Sequence, residues 1–115
     1  MQPPDWSSFE RLVEDALTLL PTELGEAIDN VAIELADQHP EDPDVLGLYE
    51  GIPLTEREEY GGMVMPDRIW IYRLPLSRFC HNDTELVEEV RVTVIHELAH
   101  HFGIDDDRLH ELGWA

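Results

Sequence analysis

The sequence predicts an α+β domain, with a backing helix and a small sheet packed on one long helix near the C-terminus. Three observations carry that reading. Phe9, Leu12, Val13, Ala16, Leu17 and Leu20 recur at spacings of three, one, three, one and three, the mark of an amphipathic helix. Val31, Ile33 and Leu35 alternate with Ala32, Glu34 and Ala36, and Arg68 to Arg73 is rich in branched and aromatic residues; both read as strands. Leu86, Val87, Val90, Val94, Ile95, Leu98 and Phe102 then return to helical spacing. With 115 residues and no break in composition, 1–115 reads as a single domain.

In chain order, residues 1–6 read as a short unstructured lead. Ser7-x-x-Glu10 has the form of a capping box and opens the first helix, three to four turns long and closed by Pro21. This helix is expected to lie on the sheet. Thr22–Ile28 adds a turn or two of helix, weakened by Gly25. Asn30–Ala36 is a half-buried strand, His39–Asp44 a loop dense in proline and acid, and Val45–Gly51 a second, short strand. Ile52–Pro66 reads as a hairpin extension or a mobile loop beside the site. Asp67–Leu74 is the clearest strand, with large residues on both faces, as in a strand covered on both sides or lining a groove. Pro75 ends it, and Leu76–Cys80 forms a helical turn. The long helix runs from Glu85 to about Phe102, with Glu85, Glu88 and Glu89 where the helix dipole favours negative charge. Gly103 is placed as its C′ residue, and Asp107–Leu112 is a closing helical turn pinned by Leu109 and Leu112.

There are 26 acidic residues against 7 basic ones, all arginine, for a formal charge of −19. Such a balance repels nucleic-acid backbones and anionic lipid. It suits cationic partners and divalent metals, although solubility alone also accounts for it. The single cysteine, Cys80, fits a reducing compartment, and a buried cysteine beside a loop histidine, His81, explains that pair better than a second metal site. No signal peptide and no membrane-spanning run is visible. A cytoplasmic monomer with no nucleic-acid or membrane partner is expected.

Within the long helix stands H-E-x-x-H: His96, Glu97 and His100. Histidines four apart lie within about 40° around the axis and roughly 6 Å in rise, so both rings can reach one zinc ion at about 2.1 Å. Glu97 borders that face, where a carboxylate reaches a metal-activated water without being a ligand: the general-base position of a metallopeptidase. With Gly103 and Asp106 the run reads H-E-x-x-H-x-x-G-x-x-D, which resembles the metzincin pattern with Asp in place of the third His. Gly103 can take φ > 0 and turn the chain back toward the metal. Asp105, Asp107 and Glu111 are rival third ligands, and Asp106 can also be read as a helix cap or turn residue. His101 reads as an exposed helix-end residue. His110, Tyr72 and Arg108 are candidate oxyanion stabilisers that spacing does not separate.

His96 to Trp114, together with L-G-L-Y-E-G-I-P-L at 46–54 and P-D-R-I-W-I-Y-R at 66–73, resembles a small bacterial family, the minimal zincin-like metallopeptidases. The resemblance covers most of the chain. It implies a zincin-like α+β domain in which His96, His100 and Asp106 hold Zn2+ and Glu97 is the base. Two departures from metzincins stand out: no Met follows Asp106, so no Met-turn is expected, and no extended segment follows to wall a deep cleft. The substrate groove is therefore expected upstream, at the edge of the Arg68–Leu74 strand. The function expected is a zinc-dependent peptidase acting on a peptide or protein substrate, with charge pointing to a basic one. The alternative is a zinc-binding regulatory or interaction domain with little turnover; a metal-dependent nuclease is disfavoured by the charge.

Overall fold

Asp5, not Ser7, starts the first helix. Its carboxylate accepts from the Ser8 N–H at 2.8 Å and from the Ser7 hydroxyl at 3.2 Å. A charged acceptor at the N-cap satisfies an orphan amide and meets the dipole, which a Ser hydroxyl does less well. These bonds, that to the Ser8 amide foremost, hold the Asp5 carboxyl below its ordinary range. Helix α1 therefore spans Trp6–Leu17. The lead before it is tied down rather than loose. The Met1 ammonium donates to Ser77 O at 2.7 Å and Cys80 O at 2.9 Å, and Arg73 Nη1 donates to Pro4 O at 2.8 Å.

The computed structural model describes residues 1–28, 31–51, 67–101 and 103–114. The readings made of Asn30, Ile52–Pro66 and Phe102 fall outside those residues, as does the side chain of His101. Helix α2 (Thr22–Ile28) forms over the predicted residues and buries Leu24. Strands β1 (Val31–Ala36), β2 (Gly47–Glu50) and β3 (Asp67–Tyr72) make one sheet in the order β1-β3-β2. β1 runs parallel to β3, and β2 runs antiparallel to it.

That order corrects the expected groove. β3 is the central strand, with ladder partners on both sides, so it has no edge to offer a peptide. Its place in the middle explains its large residues: Ile69 and Ile71 are fully buried on one face, while Trp70 and Tyr72 stack on the other. Val31, Ile33 and Leu35 of β1 pack against the core as the alternation predicts. The strand ends at Tyr72 rather than at proline. Helix α3 (Arg73–Phe79) follows directly, with Pro75 in its first turn, where a missing N–H costs no intrahelical bond.

Helix α4 (Asp83–His101) starts two residues before the predicted Glu85 because Asn82 Oδ1 accepts the Glu85 N–H at 2.9 Å. It supplies Leu86, Val90, Val94, Ile95, Leu98 and Ala99, all buried, to the core. Phe9, Leu12, Val13 and Ala16 of α1 pack across α4. α1 thus leans on the long helix and not flat on the sheet. A groove of ≈ 510 Å³ lies between it and the sheet, lined by Val13 and Leu17 of α1 and by Ile33 and Leu35 of β1. Helix α5 (Asp106–Leu112) closes the described chain, with Leu109 fully buried and Leu112 half-buried. Among the described residues no helix is long and apolar enough to cross a membrane.

One close approach sets where the sheet meets α4. A Cβ on Gly47 would lie 2.6 Å from Thr93 Cγ2 and 2.9 Å from the Trp70 carbonyl oxygen. Gly47→Ala is expected to destabilise the fold by about 1–3 kcal/mol through overpacking. Gly25→Ala, where a Cβ meets nothing within 4 Å, should be neutral or stabilise by up to about 1 kcal/mol. Denaturant titration of both variants checks the pair, and equal effects would refute the close-approach argument.

Candidate metal centre

The last two turns of α4 carry His96, Glu97 and His100. The two imidazoles are parallel within 4°, with centroids 6.4 Å apart, as two residues one turn apart on one face should be. His96 is 43% exposed, so its ring is open to a ligand while its backbone sits in a buried helix. Two turns earlier, burial holds the Glu89 carboxyl above its ordinary range, with His96 acting in the opposite direction.

Glu97 points to the sheet. Its Oε2 accepts the backbone N–H of Tyr49 at 2.9 Å. The strand reaches it because Gly47, two residues before Tyr49, rests on Thr93, one turn before Glu97. Among the described residues Glu97 Oε1 takes no hydrogen bond. The Tyr49 hydroxyl is committed elsewhere, donating to the buried Asp67 Oδ2 at 2.5 Å. Sequence reasoning missed Tyr49 because its contribution is a backbone amide, which every residue but proline carries.

Gly103 turns the chain as expected. Its φ is +72°, its N–H donates to His100 O at 3.1 Å, and the Ile104 N–H donates to Ala99 O at 2.8 Å. This pair of bonds is a Schellman motif, which satisfies the last carbonyls of α4 and reverses the chain. Asp105 then caps α5, its Oδ1 accepting the Arg108 N–H at 2.9 Å. Asp106, the first residue of α5, is 73% exposed and sets Oδ1 3.9 Å from His96 Nε2. Of its rivals, Asp105 is spent as the cap, Glu111 is paired with Arg108 Nη1 at 2.9 Å, and Asp107 is exposed on the first turn of α5.

Two ligand atoms at about 2.1 Å from a tetrahedral ion stand about 3.4 Å apart. The His96–Asp106 spacing is therefore wider than a closed site by roughly half an ångström. The two rings also stand apart, and among the described residues no three His, Cys, Asp or Glu side chains already converge on one point. Exposed side chains close such gaps by small torsional shifts. Two imidazoles and one carboxylate are a donor set that suits zinc.

Of the oxyanion candidates, Tyr72 is buried on the sheet face turned away from Glu97, Arg108 is paired with Glu111, and His110 is exposed in the last turn of α5. Cys80 is buried, and burial raises its thiol pKa, with Glu89 and Glu85 adding to the shift; His81 instead contacts Glu85 at 3.2 Å.

A family model described as zincin-like metallopeptidase matches residues 26–114, most of the chain. No curated protein matches the sequence significantly. Among solved structures, a conserved hypothetical protein from Thermus thermophilus is similar, with a TM-score of 0.54 at 24% identity over 86% of this chain and 94% of that one. The likeness is one of fold.

Gly103→Ala is expected to lower stability by about 1–2 kcal/mol, the cost of a left-handed L-residue, because a Cβ there meets nothing within 4 Å. Gly103→Asn should cost less, since Asn tolerates that region. Chemical denaturation of the two variants tests this ranking, and a larger loss with Asn would overturn it.

Proposed function

Because the chain belongs to the zincin-like metallopeptidase family, we propose that it is a zinc-dependent peptidase in which His96, His100 and Asp106 hold the metal and Glu97 is the general base. The observation that carries this reading is the Tyr49–Glu97 bond, which fixes a carboxylate on the turn between the two histidines. Zinc, when bound, supplies a Lewis acid that acidifies a water and polarises the scissile carbonyl.

The chain's own part is to move the proton. With Oε2 held by the Tyr49 amide, Oε1 of Glu97 takes a proton from the attacking water as its oxygen bonds to the carbonyl carbon. The same oxygen then delivers that proton to the amine nitrogen as the C–N bond breaks. The fixed Oε2 means the carboxylate needs no reorientation between the two steps, so positioning is built in before substrate arrives. β2, rather than β3, is the strand a peptide would meet, since it lies at an edge of the described sheet and flanks Glu97.

Glu97→Gln is expected to keep zinc, read by elemental analysis, and to lose about a hundred- to ten-thousandfold in peptide hydrolysis. Full activity in that variant would sink the assignment. Asp106→Ala should lower bound zinc while Asp107→Ala leaves it unchanged; zinc content in both equal to that of the wild type removes Asp106 from the ligand set. An unbiased peptide-library screen on zinc-loaded protein supplies the activity readout. Metal retention without any turnover in it would favour a regulatory zinc domain.

A further inference from the structure

The outer face of the sheet, turned away from α4, holds a pocket of ≈ 350 Å³ that the proposed reaction does not use. Trp70 and Tyr72 form its floor, their rings 7° from parallel with centroids 6.5 Å apart. His39 stands edge-on to Tyr72 at 6.0 Å, Leu48 adds an apolar wall, and the exposed Glu41 and Glu50 are among the other lining residues.

Among the described residues, the charges lining this pocket are carboxylates. His39 Nδ1 accepts the backbone N–H groups of Glu41 and Asp42 at 3.0 and 3.1 Å. Glu34 stands opposite Trp70 in the strand register, on the same face. Among the described residues Arg68 is the cation on that face; it stands opposite Glu50 in the register, but it does not line the pocket, and no ion pair joins the two. Arg73, Arg91 and Arg108 are already matched to Asp37, Glu88 and Glu111. Carboxylates beside aromatic faces, with no cation lining the pocket among the described residues, are the chemistry that selects a positive group.

The molecule uses the same chemistry once already. The Arg73 guanidinium lies 4.8 Å over the Trp6 ring while its Nε and Nη2 donate to Asp37 Oδ1 at 3.0 and 2.8 Å. The outer pocket offers the indole and the carboxylates of that arrangement, and among the described residues no guanidinium lines it. We propose that this pocket, floored by Trp70 and Tyr72 and edged by Glu41 and Glu50, binds the arginine side chain of a peptide. A planar guanidinium can lie on the indole and pair with a carboxylate at once, which a lysine ammonium does less well.

The pocket is one strand away from the candidate base. Leu48 and Glu50 line it, and Tyr49 between them gives its amide to Glu97 on the other side. A peptide held here therefore lies against the strand that fixes Glu97. That the bound peptide is also the substrate rests on the peptidase reading; the binding does not.

The test uses the full chain carrying Glu97→Gln, so that nothing is cut, and follows the Trp70 indole N–H by NMR. A capped Gly-Gly-Arg-Gly-Gly peptide should shift that resonance, and the citrulline peptide, neutral but nearly the same shape, should bind at least about tenfold more weakly. Glu50→Gln, at an exposed position, should weaken the arginine peptide by about fivefold and leave the fold intact. Equal binding of the arginine and citrulline peptides, or no shift of the Trp70 resonance, overturns the proposal. Zinc-loaded wild-type protein is then offered the arginine peptide. If the peptide binds but is never cut, the peptidase reading suffers and the pocket stands; if it is cut with no preference over citrulline, the pocket's role in selecting substrate fails.

Discussion

The sheet can come down on α4 only because position 47 has no side chain. Thr93 and the Trp70 carbonyl fill the space a Cβ would need. This contact sets the height of β2 over the helix, and that height puts the Tyr49 amide within 2.9 Å of Glu97. The hydrophobic core fixes the same geometry from below, since Val90, Val94, Leu98 and Ala99 are buried along α4. The candidate base is thus clamped between a packed helix and a strand edge, while the His96 ring beside it stays open.

The candidate ligands divide into two groups of different stiffness. His96 and His100 ride on a helix that both α1 and the sheet pack against. Asp106 rides on a short helix reached through the Gly103 turn and held by Leu109, by the half-buried Ile104 and Trp114, and by the Asp105 cap. The 3.9 Å gap to His96 falls between these two parts. Closing it requires movement of exposed side chains and no change in the core.

Much of this was legible in the sequence where periodicity or a backbone constraint left a mark. The apolar face of α1, the alternation in β1, the extent of α2 and the positive φ at Gly103 all follow from residue type and spacing. Other features leave no such mark. Asp5 and Ser7 are both competent caps, and only the backbone path decides between them. Pro75 reads equally well as the end of a strand or the first turn of a helix. The central place of β3 depends on a parallel pairing with β1 across a long stretch of chain, which local patterns cannot reveal. At the site, the two histidines and Glu97 are visible as a motif, but the partner of Glu97 is an amide without a side-chain signature.

That last point bears on how the site can change over generations. The Tyr49 side chain serves the sheet through Asp67, whereas its amide serves Glu97. Substitutions at 49 can alter the first role and leave the second, with proline the exception. A carboxylate anchored by main chain is buffered against mutational drift in a way one with a side-chain anchor is not. Gly47 carries the opposite burden: its lack of a side chain is the feature in use, so nearly any replacement there disturbs the strand. Variation along β2 is therefore expected to be tolerated unevenly, with a permissive position beside an intolerant one only two residues away.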